Sequence, residues 1–142
     1  MVEEAQLLMT EGGNNYLMCV DGSEQSEIAF TIACNGLFRP EKDVFNICTI
    51  TNHNKEGLPL KFRPEQIEGF YQNKIFSDPR LSNVSKFIKK EVEPEKTTKD
   101  TLWMLAKQFH ADIIVLGIYG RKGRQESNYT VLGQAVSFMA QQ

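Results

Sequence analysis

The chain has 142 residues, of which 41% are hydrophobic and 24% charged, a composition that suits one compact domain with one core. A formal net charge of -2 gives no general support for binding to nucleic acid or to a membrane surface. Its apolar runs are far shorter than the roughly 20 residues that a membrane-spanning helix needs. The chain starts Met-Val-Glu-Glu, without the positive start of a secretory signal, so we expect a cytoplasmic protein.

Cysteine and histidine are sparse in the sequence. The chain has three cysteines, Cys19, Cys34 and Cys48, in no CxxC or Cys/His spacing. This pattern is typical of reduced cysteines that pack as small hydrophobic side chains, and it favours neither a disulfide framework nor a zinc site. The two histidines, His53 and His110, have no ligand-like neighbour in the sequence, so we expect surface loop positions and no metal site.

Turn-forming residues separate the first predicted elements. Residues 1–13 are polar and end in two glycines, which predicts a flexible leader before the folded domain. The apolar run at 16–20 is typical of a strand that is covered on both faces. Acidic residues followed by apolar side chains at helical spacing, with Ile28 and Ile32 among them, predict a helix over 24–38.

The rest of the chain continues this alternation. Residues 44–50 are rich in β-branched side chains and predict a second strand. A helix is predicted over 64–75, since proline is favoured in a first helical turn, and a half-exposed edge strand over 83–92. A helix with one apolar stripe at 97–110 leads into a buried strand at 112–117.

The alternation predicts a single α/β domain over residues 14–142, with a doubly wound, Rossmann-like parallel sheet. In such sheets, ligands bind beyond the carboxyl ends of the strands, where the strand order reverses. Two loops fit this position, at 20–23 and at 117–124. Glycines in the second loop let backbone amides approach phosphate oxygens, and Arg121 and Lys122 add positive charge. These loops indicate a nucleotide cleft.

Other nucleotide-binding motifs are missing from the sequence. It has neither the Gly-Lys-Ser/Thr of a Walker loop nor a GxGxxG after the first strand. The turn at 20–26 also lacks the motifs of ATP pyrophosphatases and class I synthetases, which adenylate substrates on related folds. A phosphoacceptor role for Asp21 would need several acidic residues around Mg²⁺. We therefore expect binding without catalytic residues.

Two segments resemble the universal stress protein family. Residues 20–29, Val-Asp-Gly-Ser-Glu-Gln-Ser-Glu-Ile-Ala, are similar to the first strand and helix of the family. Residues 111–123, Ala-Asp-Ile-Ile-Val-Leu-Gly-Ile-Tyr-Gly-Arg-Lys-Gly, are similar to its fourth strand and phosphate loop. The resemblance runs from about residue 16 to the C-terminus. It implies an adenine nucleotide α-hydrolase-like fold, ATP as ligand with Mg²⁺ held through the phosphates, and a role in stress response.

The resemblance also implies which residues bind the nucleotide. The residue that matches Asp21 contacts adenine in the ATP-binding branch, and the end of the second strand, here around Thr49 and Ile50, completes the base pocket. The phosphate signature of the family begins Gly-x2-Gly, which Gly117 and Gly120 match. The full expected set is Asp21, Gly22, Ser23, Thr49, Ile50, Gly117, Gly120, Arg121, Lys122, Gly123, Gly133 and Gln134.

The second half of that signature differs here. Gly133 matches only if the loop holds three extra residues, and Gln134 replaces a hydroxyl residue, although its amide is also a hydrogen-bond donor. No apolar strand follows Gly133, so we expect the usual fifth strand of the family to be missing. That strand commonly pairs across a dimer interface in the family. A homodimer or a regulatory protein partner therefore stays open, without the dimer geometry of the family.

Two functions are compatible with these patterns. The first is a sensor or regulatory module in which ATP orders residues 120–133 and changes the surface offered to a partner, with at most very slow hydrolysis. The alternative is a nucleotide-free universal stress domain that acts as a protein-interaction module, which the altered signature favours. Titration with a fluorescent ATP analogue distinguishes the two.

Overall fold

The structure is a computed structural model that describes residues 12–52 and 59–117. In chain order, these residues form β1 (Asn15–Cys19), α1 (Glu24–Ile32), β2 (Val44–Thr51), α2 (Pro64–Ser77), β3 (Phe87–Glu91), α3 (Thr98–Gln108) and β4 (Ile113–Val115). A π-helical turn at Ala33–Leu37 extends α1, and a 3-10 turn at Leu60–Phe62 precedes α2. Most of the predicted leader, His53 and all residues after 117 lie outside the described residues.

The four strands form one parallel sheet in the order β3-β2-β1-β4. On one side β1 pairs with β2, where Asn15 lies opposite Val44. On its other side β1 pairs with β4, where Tyr16 lies opposite Ile113. The chain thus first builds the sheet outward from β1 in one direction and later returns to add β4 on the opposite side. This reversal of strand order confirms the predicted doubly wound α/β fold.

Helices cover both faces of the sheet. One face packs against α1 and α2, with a core that contains Tyr16, Met18, Phe30, Phe45, Ile47, Ile67 and Tyr71. The other face packs against α3, with a second core that contains Leu17, Cys48, Ile50, Leu102 and Leu105. Successive residues of a strand point to opposite faces, so β1 and β2 supply both cores. This burial on two sides explains why apolar residues follow one another along both strands, as at 16–19, rather than alternating with polar ones.

The buried face of α1 includes only part of the apolar spacing seen in the sequence, since Ala29 and Ala33 pack in the core. Ile28 and Ile32 are exposed, at 45% and 61% of their surface. The face toward the sheet is set instead by Phe30, which is 5% exposed. Its ring lies 5.8 Å from that of Phe45 and 5.2 Å from that of Tyr71, both edge-on. One large aromatic side chain buries more area than the isoleucines and fixes the rotation of the helix.

The helix predicted after β1 ends in a wider turn. The N–H of Phe38 donates to the carbonyl of Ala33 at 2.8 Å, which closes a π-helical turn. Asn35 and Gly36 lie within this turn and are poor helix formers. The wider turn still buries Ala33 and Cys34 against the first core, so the extra residue is accommodated without loss of packing.

The edge strand β3 is shorter than the predicted range 83–92. Hydrogen bonds to β2 nevertheless extend over nearly all of that range. The carbonyl of Val84 accepts a hydrogen bond from the N–H of Phe45 at 3.0 Å. At the other end, the N–H of Val92 donates to the carbonyl of Thr51 at 2.8 Å. The predicted edge position is confirmed by the strand order.

A buried carboxylate anchors the start of β2. The side chain of Asp43 is fully buried and accepts backbone hydrogen bonds from Asn14 at 2.7 Å and Arg39 at 2.8 Å. It also forms an ion pair with the guanidinium of Arg39 at 3.1 Å. Burial by itself raises the pKa of the Asp43 carboxyl, but the hydrogen bonds from Arg39 and from the backbone lower it below its ordinary value. The ionised carboxylate therefore ties the start of β2 to the start of β1.

Candidate functional site

The candidate site lies at the carboxyl ends of β1 and β4. These strands are neighbours in the sheet, but the chain leaves β1 toward β2 and enters β4 from α3 on the opposite face. The connections diverge at this point and leave a crevice, which is where open α/β sheets bind ligands. The predicted loop at 20–23 and the first residues of the loop after β4 both reach this crevice.

The loop after β1 is a tight turn that starts α1. The carboxylate of Asp21 accepts a hydrogen bond from the N–H of Ser23 at 2.9 Å. The hydroxyl of Ser23 in turn accepts one from the N–H of Ser26 at 3.1 Å, so Ser23 is the N-cap of the helix. The hydroxyl of Ser26 donates back to the carbonyl of Ser23 at 3.0 Å. Two predicted site residues, Asp21 and Ser23, therefore hold the first turn of α1 in place.

Gly22 is required by the conformation of this turn. Its φ of +83° is a left-handed value that residues with a side chain rarely adopt. A Cβ at this position would also meet the carbonyl oxygen of Lys61 and would lie 3.1 Å from the ring of Phe62. The segment before α2 therefore covers the turn after β1. The sequence did not predict this contact, because the two segments are far apart in the chain and share no motif.

Gly117 brings the loop after β4 against the first turn of α1. A Cβ here would lie 2.9 Å from the amide nitrogen of Ser26 and 3.1 Å from the carbonyl carbon of Gln25. Both are backbone atoms, so no side-chain rotation could make room. The backbone amides at a helix N-terminus carry partial positive charge and bind anions. The predicted phosphate loop therefore begins beside a helix end that is suited to phosphate.

Charges of both signs surround this helix end. Glu24 and Glu27 lie in the first turn of α1 and are exposed, where they stabilise the helix dipole and repel an anion. Lys61 brings positive charge to the segment that covers the turn, and its ammonium lies 5.0 Å from the centre of the Phe62 ring. A bound polyphosphate at this place would need further positive charge, which the sequence offers at Arg121 and Lys122.

The two residues predicted for the base pocket are buried. Thr49 is 1% exposed and Ile50 is 7% exposed. In the sheet they pair with Lys89 and Lys90 of β3. The side chain of Ile50 belongs to the core beneath α3. Both side chains are therefore shielded from the surface, and a contact of side-chain or backbone atoms around Thr49 and Ile50 with adenine stays a prediction.

The remaining predicted site residues lie outside the described residues. They are Gly120, Arg121, Lys122, Gly123, Gly133 and Gln134. The segment after Gly133, where we expect the fifth strand to be missing, lies outside the described residues as well. Across 12–52 and 59–117 there is no group of three or more His, Cys, Asp or Glu side chains placed to hold a metal ion. None of the helices in these same ranges is long and apolar enough to span a bilayer.

Two surface cavities lie away from this crevice. One of about 500 Å³ is lined by Ser85, Phe76 and Phe87, between α2 and β3. The other, of about 550 Å³, is lined by Trp103 and His110 at the end of α3. His110 is exposed in a turn there, as predicted for a surface histidine. Neither cavity contains a predicted site residue.

Neither a protein-family model nor a curated protein sequence matches the chain. Several solved structures do match the chain. A crystal structure of a protein from the universal stress protein family from Burkholderia pseudomallei has a TM-score of 0.52 and 18% identity, covering 77% of this chain and 82% of that chain. The hypothetical protein MJ0577, the subject of a structure-based assignment of biochemical function, has a TM-score of 0.53 and 17% identity, covering 91% and 89%. The hypothetical protein PH0823 has a TM-score of 0.55 and 16% identity, again covering 91% and 89%. The chain therefore has the fold of a universal stress protein structure, as the sequence resemblance implied.

Proposed function

We propose that this chain is a divergent universal stress protein that binds ATP, or a related adenine nucleotide, in the crevice between β1 and β4. The observation that carries the proposal is the contact of Gly117 with the backbone of Ser26, where a Cβ would come within 2.9 Å. This contact sets the start of the phosphate loop against the N-terminus of α1. The shared fold and the two matching sequence segments support the family assignment, and with it a cytoplasmic role in stress response.

Different residues of the crevice would bind different parts of the nucleotide. The turn after β1 orients the carboxylate of Asp21 through its hydrogen bond with Ser23, and this residue would contact adenine. Backbone amides that follow Gly117, together with the N-terminus of α1, would bind the phosphates. Arg121 and Lys122 neutralise phosphate charge, and Mg²⁺ enters on the phosphate oxygens, where it would offset further negative charge.

Nucleotide occupancy would act as a signal rather than as the start of a reaction. Contacts between ATP and residues 117–123 change the surface that residues 120–133 offer to a regulatory protein or to a second copy of the chain. No described residue of the crevice is placed as a general base, and hydrolysis is expected to be very slow at most.

The test is a titration with a fluorescent ATP analogue at low salt, followed by displacement with ATP. We expect saturable binding, weakened at least about tenfold in a double variant with Arg121→Ala and Lys122→Ala, since two charge-assisted phosphate contacts are lost. The matched control, Lys42→Ala with Lys96→Ala, removes the same charge at two exposed positions and should change the affinity less than about twofold.

Binding that ATP does not displace, or the absence of saturable binding, would refute nucleotide recognition and favour the nucleotide-free interaction module. Equal weakening in both double variants would also count against the crevice, since it would mean that net charge alone attracts the analogue.

A further inference from the structure

Two cysteines lie side by side on the two central strands of the sheet. Cys19 is the last residue of β1, and its register partner in β2 is Cys48. Residues directly opposite in neighbouring strands point to the same face, and both cysteines pack in the core beneath α3. Adjacent strands lie about 4.8 Å apart, within the Cα separation of about 4.4–6.8 Å that a disulfide spans. A bond between the two sulfurs therefore needs little movement of the backbone.

The two thiols already interact, and they differ in exposure. A hydrogen bond between the thiols raises the pKa of Cys48, and its complete burial raises that pKa further. Cys48 therefore keeps its proton, whereas Cys19 is only partly buried and is open to a small oxidant. The third cysteine, Cys34, is buried on the opposite face of the sheet, where burial raises its pKa to about 11. It cannot reach either partner in the folded protein.

We propose that hydrogen peroxide oxidises Cys19 and Cys48 of the folded protein to a disulfide. The sulfur of Cys19 attacks one peroxide oxygen and breaks the O–O bond, which gives a sulfenic acid and releases water. The sulfur of Cys48 then attacks the sulfur of Cys19 and displaces hydroxide, which leaves as water with the thiol proton. Overall the two thiols lose two protons and two electrons, and the peroxide becomes two water molecules.

This modification is independent of nucleotide binding, because it depends only on the register of β1 and β2. It would nevertheless lock together the two strand ends that precede the candidate site, since Asp21 follows Cys19 closely and Thr49 follows Cys48 directly.

The experiment uses the full chain, reduced and then freed of reductant. Hydrogen peroxide is added, and the remaining thiols are labelled with N-ethylmaleimide under denaturing conditions. We expect one labelled thiol out of three, and a mass that is lower by two hydrogens before labelling. Digestion after glutamate separates the cysteines, because Glu27 lies between Cys19 and Cys34, and Glu41 between Cys34 and Cys48. The cross-linked fragments should be those that carry Cys19 and Cys48.

The matched control is Cys34→Ser, which also removes one thiol and should give the same cross-link. Both Cys19→Ser and Cys48→Ala should abolish it. Since Cys48 is buried, the decision rests on Cys19→Ser, whose partly exposed position tolerates a hydroxyl, with circular dichroism to show that it is folded. Oxidation of Cys19 that stops at a sulfenic or sulfinic acid would overturn the proposal. So would a cross-link that joins different molecules, or one that forms in urea but not in the native protein.

Discussion

Replacement of Gly117 by alanine tests the contact on which the candidate site depends. The added Cβ would lie 2.9 Å from the amide nitrogen of Ser26 and 3.1 Å from the carbonyl carbon of Gln25. An ordinary contact needs roughly 3.5 Å, so the loop or the helix must move by about half an ångström. Because both partners are backbone atoms of a capped first turn, the strain cannot be relieved locally. Overpacking of this kind costs roughly 1–3 kcal/mol.

The chain offers a matched control in Gly69→Ala. A Cβ at Gly69 meets nothing within 4 Å, and alanine is favoured over glycine inside a helix by up to about 1 kcal/mol. In urea unfolding we expect Gly117→Ala to lower the free energy of unfolding by about 2 kcal/mol and Gly69→Ala to raise it. In the ATP-analogue titration, Gly117→Ala should weaken binding about tenfold or more, and Gly69→Ala should leave it unchanged. A Gly117→Ala protein with the stability and affinity of the original chain would refute the close approach.

Two further predictions concern the buried carboxylate and the cap of α1. Asp43→Asn should lower the free energy of unfolding by about 2 kcal/mol at neutral pH, since it leaves a buried hydrogen-bond network incomplete. The folded-state pKa of Asp43 is lowered, so this stabilisation is complete above the unfolded value near 4 and disappears as the pH falls through the folded value. Urea unfolding from about pH 7 to about pH 3 should show the difference in free energy of unfolding between the original chain and Asp43→Asn becoming smaller. A constant difference would contradict a stabilising role for the ionised Asp43 carboxylate. Ser23→Ala should cost about 1–2 kcal/mol in thermal unfolding, because the N–H of Ser26 loses its acceptor. The exposed Ser77→Ala at the end of α2 is the control, and equal losses in both would exclude a capping role.

The two central strands, β1 and β2, were predictable because their side chains are buried on both faces. The continuous apolar run at 16–20 and the β-branched residues of β2 mark such strands regardless of what packs on them. The orientation of a helix is a different problem. Apolar spacing pointed to Ile28 and Ile32, yet the sheet and α2 offer a pocket for the ring of Phe30. That choice depends on the tertiary partner, which local periodicity does not contain.

The candidate site could be predicted only in part, because some of its contacts depend on tertiary packing. Asp21, Ser23 and Gly117 could be found from their order in the chain and their place after strands. Ser26 was missed because it contributes a backbone amide, which every residue except proline has. The cover that Lys61 places over Gly22 was missed because it depends on how a distant segment packs. Sequence patterns identify residues with characteristic side chains, and they do not identify a site built from main-chain atoms.

The position of β1 in the sheet has a consequence during protein synthesis. Its hydrogen-bonding groups on one side pair with β2, which is made soon afterwards, but those on the other side pair with β4, near the end of the described chain. A nascent chain that has not yet released β4 from the ribosome therefore presents an unpaired inner strand, which is a target for chaperones and a risk for aggregation. The crevice forms in the same late step, so only a chain that already includes β4 can be stabilised by a ligand that binds there.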